Sequence, residues 1–260
     1  MGERTPCAAT TVALIIPALN EERSLPLVLG ALRLMAAAPL GKDGAGRPVL
    51  LDRIVVVDNG STDGTAEAAA RGGAQVARET VRGYGQACLR GLRELAPRPP
   101  DIVAFLDADH SDDPAALPAL VLPIARGEAD FVLGSRSRGA DPGALLPQAR
   151  LGNALSVAAI RALYGFRYTD LGPFRAIAWD PLCSLGMKDR GFGWTAEMQV
   201  KALRAGLRVR EVPVPYRRRI GVSKISGTVG GTVKAGAKIL WTIARHRFGP
   251  AGVIPARGGS

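Results

Sequence analysis

Short apolar runs alternate with helix-like stretches through the first half of the chain. The runs are three to five residues long and rich in β-branched residues, whereas the stretches between them repeat apolar residues at helical spacing. Strands are predicted at 12–16, 53–57, 74–77, 102–106 and 131–133, and helices at 24–38, 65–71, 85–95 and 114–125. Near-continuous apolar strands alternating with helices predict an α/β fold with a mostly parallel central sheet flanked by helices.

The second half of the chain is less regular. It predicts a helix at 151–163, a strand at 174–179, a helix at 195–205 and a strand at 208–214. No Ser/Gly linker divides the chain, so we expect one domain. The predicted organisation is a flexible N-terminus at 1–10, a single Rossmann-like domain at 11–228, a basic amphipathic helix at 229–248 and a disordered tail at 249–260.

Polar side chains follow the predicted strands at the point where each strand ends. Open α/β sheets bind ligands beyond the carboxyl ends of their strands, so these side chains should meet at one edge. The first strand runs into Pro17, Asn20 and Glu21, and the second ends in Asp58. A buried core alone would not predict this clustering.

Asp107 and Asp109 directly follow the apolar run 102–106. Two carboxylates one residue apart at a strand end can reach one cation, and hard oxygen ligands suit Mg²⁺ or Mn²⁺. Such an ion would bridge to diphosphate oxygens and act as a Lewis acid. Without other motifs, the two aspartates could equally belong to a solvent-exposed turn that binds no metal.

The net charge of +11 is concentrated in the last quarter of the chain. Residues 201–247 hold 12 Lys and Arg against one acid, Glu211, while the remainder is neutral with 22 of each sign. This segment should attract phosphates of a nucleotide, an anionic lipid surface or a nucleic acid. The three scattered cysteines form no disulfide framework or metal spacing and predict a reducing, cytoplasmic location.

Ordered motifs then identify a resemblance. The set comprises PALNEE (17–22), VVVDNGSTDGT (55–65), RGYGQA (82–87), FLDADHSDDP (105–114) and GSR (134–136). In this order it resembles a family 2 glycosyltransferase of the GT-A fold. The later elements resemble the dolichyl-phosphate-mannose synthase-like branch: DLGPFRAI (170–177), GWTAEMQVKA (193–202), EVPVPYR (211–217) and GVSKISG (221–227).

The resemblance implies a site for a nucleotide-sugar donor and an inverting, single-displacement transfer of a hexose. Its donor-binding positions are Pro17, Asn20, Glu21, Asp58, Gly83, Gly85 and Asp107, with Asp109 on the metal. Two readings compete at four of them, because Asn20 and Asp58 could cap turns, and Gly83 and Gly85 could open a helix rather than admit a nucleotide. The third protein ligand of the metal is left open among 111–113.

The acceptor has two readings. A polyprenyl phosphate is already anionic and needs cations to hold it, for which the candidates are Arg136, Arg150, Arg217, Arg218, Arg219 and Lys224. The resemblance implies this role for Arg136 and Arg150 in particular. A soluble hydroxyl acceptor needs a general base, and Glu197 is the candidate, unless it is a structural partner of a nearby arginine.

The predicted helix at 229–248 also has two readings. Val229, Val233, Leu240 and Ile243 share one side and Lys234, Lys238 and Arg245 the other, beside Trp241. The helix either lies peripherally on the inner, anionic face of a membrane or packs on the domain with a solvated face. A basic nucleic-acid-binding protein is the remote alternative, opposed by a 5% aromatic content and by the acidic clusters.

Overall fold

The computed structural model describes residues 9–137, 139–221 and 229–248. Its strands are β1 (Thr10–Ala18), β2 (Gly41–Lys42), β3 (Pro48–Asp58), β4 (Gln75–Arg78), β5 (Ile102–Phe105), β6 (Phe131–Ser135), β7 (Arg175–Ala178) and β8 (Val209–Pro213). Its helices are α1 (Leu25–Ala36), α2 (Thr65–Arg71), α3 (Tyr84–Leu95), α4 (Leu117–Ala125), α5 (Pro147–Tyr164), α6 (Trp179–Leu185), α7 (Trp194–Arg204) and α8 (Val229–Phe248), with a 3₁₀ turn at Pro114–Ala116.

The eight strands of the described residues form one sheet in the order β2-β3-β1-β5-β7-β6-β8, and β4 pairs with the far end of β3. Four pairings are parallel: β1 with β3, β1 with β5, β3 with β4, and β6 with β8. β7 lies antiparallel between β5 and β6. The predicted mostly parallel α/β architecture of a GT-A domain is confirmed.

Apolar side chains cover both faces of the sheet. Along β1, Leu14 and Ile16 face one hydrophobic cluster with α1 and α4, while Ile15 faces a second cluster with α3 and α7. Each of these three side chains is fully buried. A strand buried on both faces must be apolar at successive positions, which explains the continuous runs in the sequence.

Two elements were not predicted. β2 has only two residues, which is too short for a periodic pattern. α6 begins at Trp179, which was assigned to the end of a strand, and carries Pro181 in its first turn, where a proline is tolerated. α5 begins at Pro147, four residues before the predicted start, with this proline in its first turn.

α8 packs on α5 and α7, as the second reading expects, and contact of its exposed face with a membrane stays a prediction. The Tyr164 hydroxyl on α5 donates a hydrogen bond to the Ile243 carbonyl at 2.7 Å. Thr242 and Ile243 are buried, but Leu240 from the predicted apolar side is partly exposed, so the buried face is rotated away from the predicted stripe. Among the described residues, no helix is long and apolar enough to cross a membrane. The predicted tail at 249–260 and residues 1–8 of the predicted N-terminal segment 1–10 lie outside the described residues, and β1 already begins at Thr10.

Candidate donor and acceptor sites

The loops after β1 and β3 are fastened to each other. The Asn20 backbone N–H donates to the Ser61 hydroxyl at 2.9 Å, and the Asn20 side-chain oxygen accepts from the Thr62 N–H at 2.8 Å. Asp58 accepts from the Ser61 N–H at 3.0 Å, and Pro17 is half-buried near the end of β1. Asn20 therefore links the two loops and Asp58 closes the turn after β3 at the predicted sheet edge, and their contact with a donor stays a prediction.

Gly83 and Gly85 lie against the backbone of the 187–193 loop. A Cβ on Gly85 would stand 2.1 Å from the Asp189 carbonyl oxygen, and one on Gly83 would stand 2.2 Å from that of Arg190. The Gly85 and Gln86 N–H groups donate to carbonyls of this loop. The backbone that approaches these two glycines closely is therefore that of the 187–193 loop and not a nucleotide. The same loop supplies acceptors for the first N–H groups of α3.

Asn59, which was not predicted to matter, positions the start of α3. Its side-chain amide donates to the carbonyls of Glu79 and Val81, and its oxygen accepts from the Gly83 N–H at 2.7 Å. One side chain therefore fixes the turn that leads from β4 into α3. The sequence signal was its place beside Asp58 at a strand end, but its partners lie 20 to 24 residues away.

The acidic pair lies at the end of β5, as predicted. Burial raises the pKa of Asp107 to about 7, and the negative charge of Asp109 adds to this rise. One Asp107 carboxylate oxygen is buried without a hydrogen-bond partner among the described residues. Tyr84, at the start of α3, lies close to this pair, and burial together with the charge of Asp107 raises its pKa well above the ordinary value. Two close carboxylates with an unsatisfied oxygen fit a divalent cation chemically.

The three residues after His110 have different partners. The Ser111 N–H donates to Asp109 at 2.9 Å, whereas Asp113 accepts from the Ala115 N–H and caps the 3₁₀ turn. Asp112 is buried, and burial together with the charge of Asp107 raises its pKa well above the usual value. In the described residues no cluster of three or more His, Cys, Asp or Glu side chains is arranged as a metal cage. The pair alone would leave coordination positions for substrate oxygens and water.

Arg219 reaches the carboxylates on the donor side. Its guanidinium contacts Glu21 at 3.0 Å and Asp109 at 3.3 Å. Glu21 also accepts from the Ser24 hydroxyl at 2.7 Å. Arg219 was proposed for the acceptor phosphate, and the structure instead places this cation over a predicted metal ligand.

The 214–220 segment runs between the loop of the acidic pair and the loop after β6. The Arg217 N–H donates to the Ser111 carbonyl, and the Ile220 N–H donates to that of Asp109. On the other side, the Tyr216 N–H donates to the Gly139 carbonyl at 3.0 Å. One extended segment therefore contacts both loops.

A cavity of about 270 Å³ is lined by both arginines implied by the resemblance, Arg136 and Arg150. Arg136 makes two hydrogen bonds of 2.8 Å to the Asp170 carboxylate and stacks over Tyr216 at 5.1 Å. Burial opposes its charge, but Asp170 holds the pKa of Arg136 above its ordinary value. Asn153 also lines the cavity. The arrangement presents cations to a space large enough for a phosphate group.

The other predicted acceptor cations lie elsewhere. Arg217 does not line the cavity, because its guanidinium pairs with Asp113 at 2.6 Å, and its contact with an acceptor phosphate stays a prediction. Arg218 points toward Gly143 in the loop that borders the cavity. Lys224 lies outside the described residues.

Glu197 is buried, with 1% of its surface exposed. It accepts hydrogen bonds from the Lys188 and Asp189 N–H groups and pairs with Lys201 at 2.7 Å. Its oxygens therefore hold the 187–193 loop against α7. This agrees with the structural alternative for Glu197, except that its charged partner is a lysine and not an arginine. The role of general base stays a prediction.

Comparison with known proteins agrees with this architecture. The sequence profile described as "Glycosyl transferase family 2" matches residues 13–177. An uncharacterized glycosyltransferase of Mycobacterium tuberculosis is 41% identical over 88% of this chain and 95% of its own length. The undecaprenyl-phosphate mannosyltransferase of Micrococcus luteus is 32% identical over 92% of this chain and 99% of its own length.

A solved structure shares the fold. Glucosyl-3-phosphoglycerate synthase from M. tuberculosis, crystallised with Mn²⁺, uridine diphosphate and phosphoglyceric acid, superposes with a TM-score of 0.71. It is 23% identical, and the match covers 93% of this chain and 80% of that chain. With the profile match and the two relatives, the chain belongs to glycosyl transferase family 2, in the branch that resembles dolichyl-phosphate-mannose synthase.

Proposed function

We propose that this glycosyltransferase moves a hexose from a nucleoside-diphosphate sugar of the UDP-glucose or GDP-mannose type to a polyprenyl phosphate. The observation that carries the proposal is the cavity that is lined by Arg136 and Arg150. The name of the Micrococcus luteus relative supports the same acceptor class.

On the donor side, the two loops that Asn20 links, together with Asp58 at the end of β3, would hold the nucleoside. A Mg²⁺ or Mn²⁺ ion bound by Asp107 and Asp109 would supply a Lewis acid for the diphosphate leaving group. The Mn²⁺ and uridine diphosphate in the solved relative's crystals support this donor chemistry.

On the acceptor side, a phosphate monoester is already anionic at neutral pH, so its oxygen can attack without a strong general base. The protein must then bind and orient the phosphate. Asp170 fixes the Arg136 guanidinium, which reduces the entropy lost on binding. Glu197, whose oxygens already bind the 187–193 loop, is not required for this chemistry.

A soluble acceptor is the second candidate. The solved relative was crystallised with phosphoglyceric acid, a small molecule that also carries a phosphate. The same arginines could bind such a group while a hydroxyl attacks. This reading requires a general base and therefore assigns Glu197 a role in the reaction.

A position at the cytoplasmic face of the membrane belongs to the same proposal. On α8, Trp241 is half-exposed, and the Lys238 and Arg245 cations lie 4.5 and 4.9 Å from its ring centre. An interfacial aromatic ring beside cations suits an anionic headgroup region. The acceptor lipid would be present at that surface.

The test is transfer of radiolabel from UDP-glucose and GDP-mannose, with Mg²⁺ or Mn²⁺, to a polyprenyl phosphate and to phosphoglycerate. We expect label in the organic phase. Arg150→Ala should raise the KM for the lipid phosphate, and the exposed Arg33→Ala on α1 is the matched control. Label that enters only a water-soluble product would refute the lipid acceptor. In that case Glu197→Gln should abolish transfer.

A further inference from the structure

The outer face of α5 is apolar and exposed. Leu151, Leu155, Ala158 and Ala162, here called the α5 stripe, fall within an arc of about 60° when residues advance by 100° along the helix. Leu151 is 62% exposed and Leu155 is 52% exposed, and both alanines are exposed as well. Four exposed apolar residues in register form a continuous surface, unlike single exposed leucines elsewhere.

The rest of the domain packs against the opposite side of α5. Ser156 and Ile160 are its buried residues, and α7 and α8 are the helices that contact it. The hydrogen bond from Tyr164 to α8 also lies on that inner side. The α5 stripe therefore has no role in the core among the described residues.

Positive charge flanks the α5 stripe. The helix contains no acidic residue, and Arg150 and Arg161, both exposed, lie on one flank of the stripe. Beside it, Arg161 and Arg167 border an open groove of about 560 Å³ whose apolar lining includes Val157. Apolar residues at the centre with guanidinium groups along the edge match a bilayer surface with anionic headgroups.

We propose that the α5 stripe docks on the anionic bilayer that contains the acceptor lipid. The proposal rests on the proposed function for the identity of that lipid. Arg150 belongs both to the flank of the stripe and to the wall of the acceptor cavity. Docking therefore holds the cavity at headgroup level, where a phosphate can enter it while its hydrocarbon chain stays in the membrane.

Vesicle sedimentation tests the proposal with the full chain. The probe is vesicles of phosphatidylcholine with about one third phosphatidylglycerol, and the variants are Leu151→Glu and Leu155→Glu. Each should lower the partition coefficient about tenfold, because a carboxylate must then enter an apolar, anionic interface. The matched control is Leu34→Glu, since Leu34 is 80% exposed on α1 and lies outside the stripe. Circular dichroism verifies that all three fold.

The outcomes separate this inference from the proposed function. Unchanged sedimentation of Leu155→Glu overturns the docking surface even if lipid transfer is observed. Light scattering that shows a dimer dissociated by Leu155→Glu overturns it as well, because the stripe would then join two copies of this chain. If vesicle binding depends on the stripe but label never reaches lipid, the docking surface stands and the acceptor assignment fails. If the docking surface and the acceptor assignment are both correct, the two variants lower transfer to a long-chain acceptor in vesicles more than transfer to a short, soluble polyprenyl phosphate.

Discussion

Replacing Gly85 by alanine distinguishes the two readings of that glycine. An added Cβ would stand 2.1 Å from the Asp189 carbonyl oxygen and 2.9 Å from its carbon. Both are backbone atoms, so no side-chain rotation can relieve the overlap, and the 187–193 loop must move. Overpacking of this kind costs about 1–3 kcal/mol. The helical preference of alanine over glycine returns at most about 1 kcal/mol.

We therefore expect Gly85→Ala to lower the free energy of unfolding by about 1–2 kcal/mol without any nucleotide present. Urea denaturation followed by circular dichroism measures the change. The matched control is Gly30→Ala in α1, where an added Cβ meets nothing within 4 Å. Gly30→Ala should raise the free energy of unfolding by about 0.5–1 kcal/mol, because alanine restricts the unfolded chain. If Gly85→Ala is as stable as the parent yet binds nucleoside diphosphate poorly, the glycine serves the nucleotide and the packing argument is wrong.

Three further predictions concern charged groups. Asp109→Asn should abolish transfer, and Mn²⁺ should then no longer raise the melting temperature of the nucleotide-bound protein; an unchanged metal response would exclude Asp109 as a ligand. Arg219→Ala should strengthen the binding of Mn²⁺ alone by about two- to fivefold in calorimetry, because removing an ion pair of this exposure is worth up to about 1 kcal/mol; weaker binding would mean that Arg219 does not compete with the metal. Asp170→Asn should lower the free energy of unfolding by about 3 kcal/mol and raise the KM for the acceptor, because it leaves the largely buried charge of Arg136 without its counter-ion. A KM equal to that of the parent protein would mean that Arg136 does not bind the acceptor.

The elements that position the site were predictable because their patterns are local. The apolar runs of β1 and β5 are buried on both faces, so their sequence reports their position in the sheet directly. The polar residues that follow these runs, such as Asp107 and Asp109, were placed by the general geometry of α/β sheets. Arg136 and Arg150 came from the family resemblance, and the structure brings both to one cavity.

The partners of charged side chains were not predictable, because tertiary packing decides them. Arg219 meets Glu21, which lies 198 residues away along the chain, and no local pattern encodes that distance. Glu197 is engaged by N–H groups of a loop whose path depends on α3 and α7. The buried face of α8 was predicted only in part, because Ile243 is buried as expected, whereas Thr242 is covered by the domain and Leu240 is exposed.

The 214–220 segment has a consequence for how the two substrates influence each other. Arg219, at one end, contacts a predicted metal ligand, and Tyr216, further along, lies under the guanidinium of Arg136. We therefore expect a donor that displaces Arg219 to move Tyr216, which lies in the same segment, and with it the contact between Tyr216 and Arg136. Thermodynamic linkage makes this effect reciprocal, so each substrate should alter the affinity for the other by the same factor.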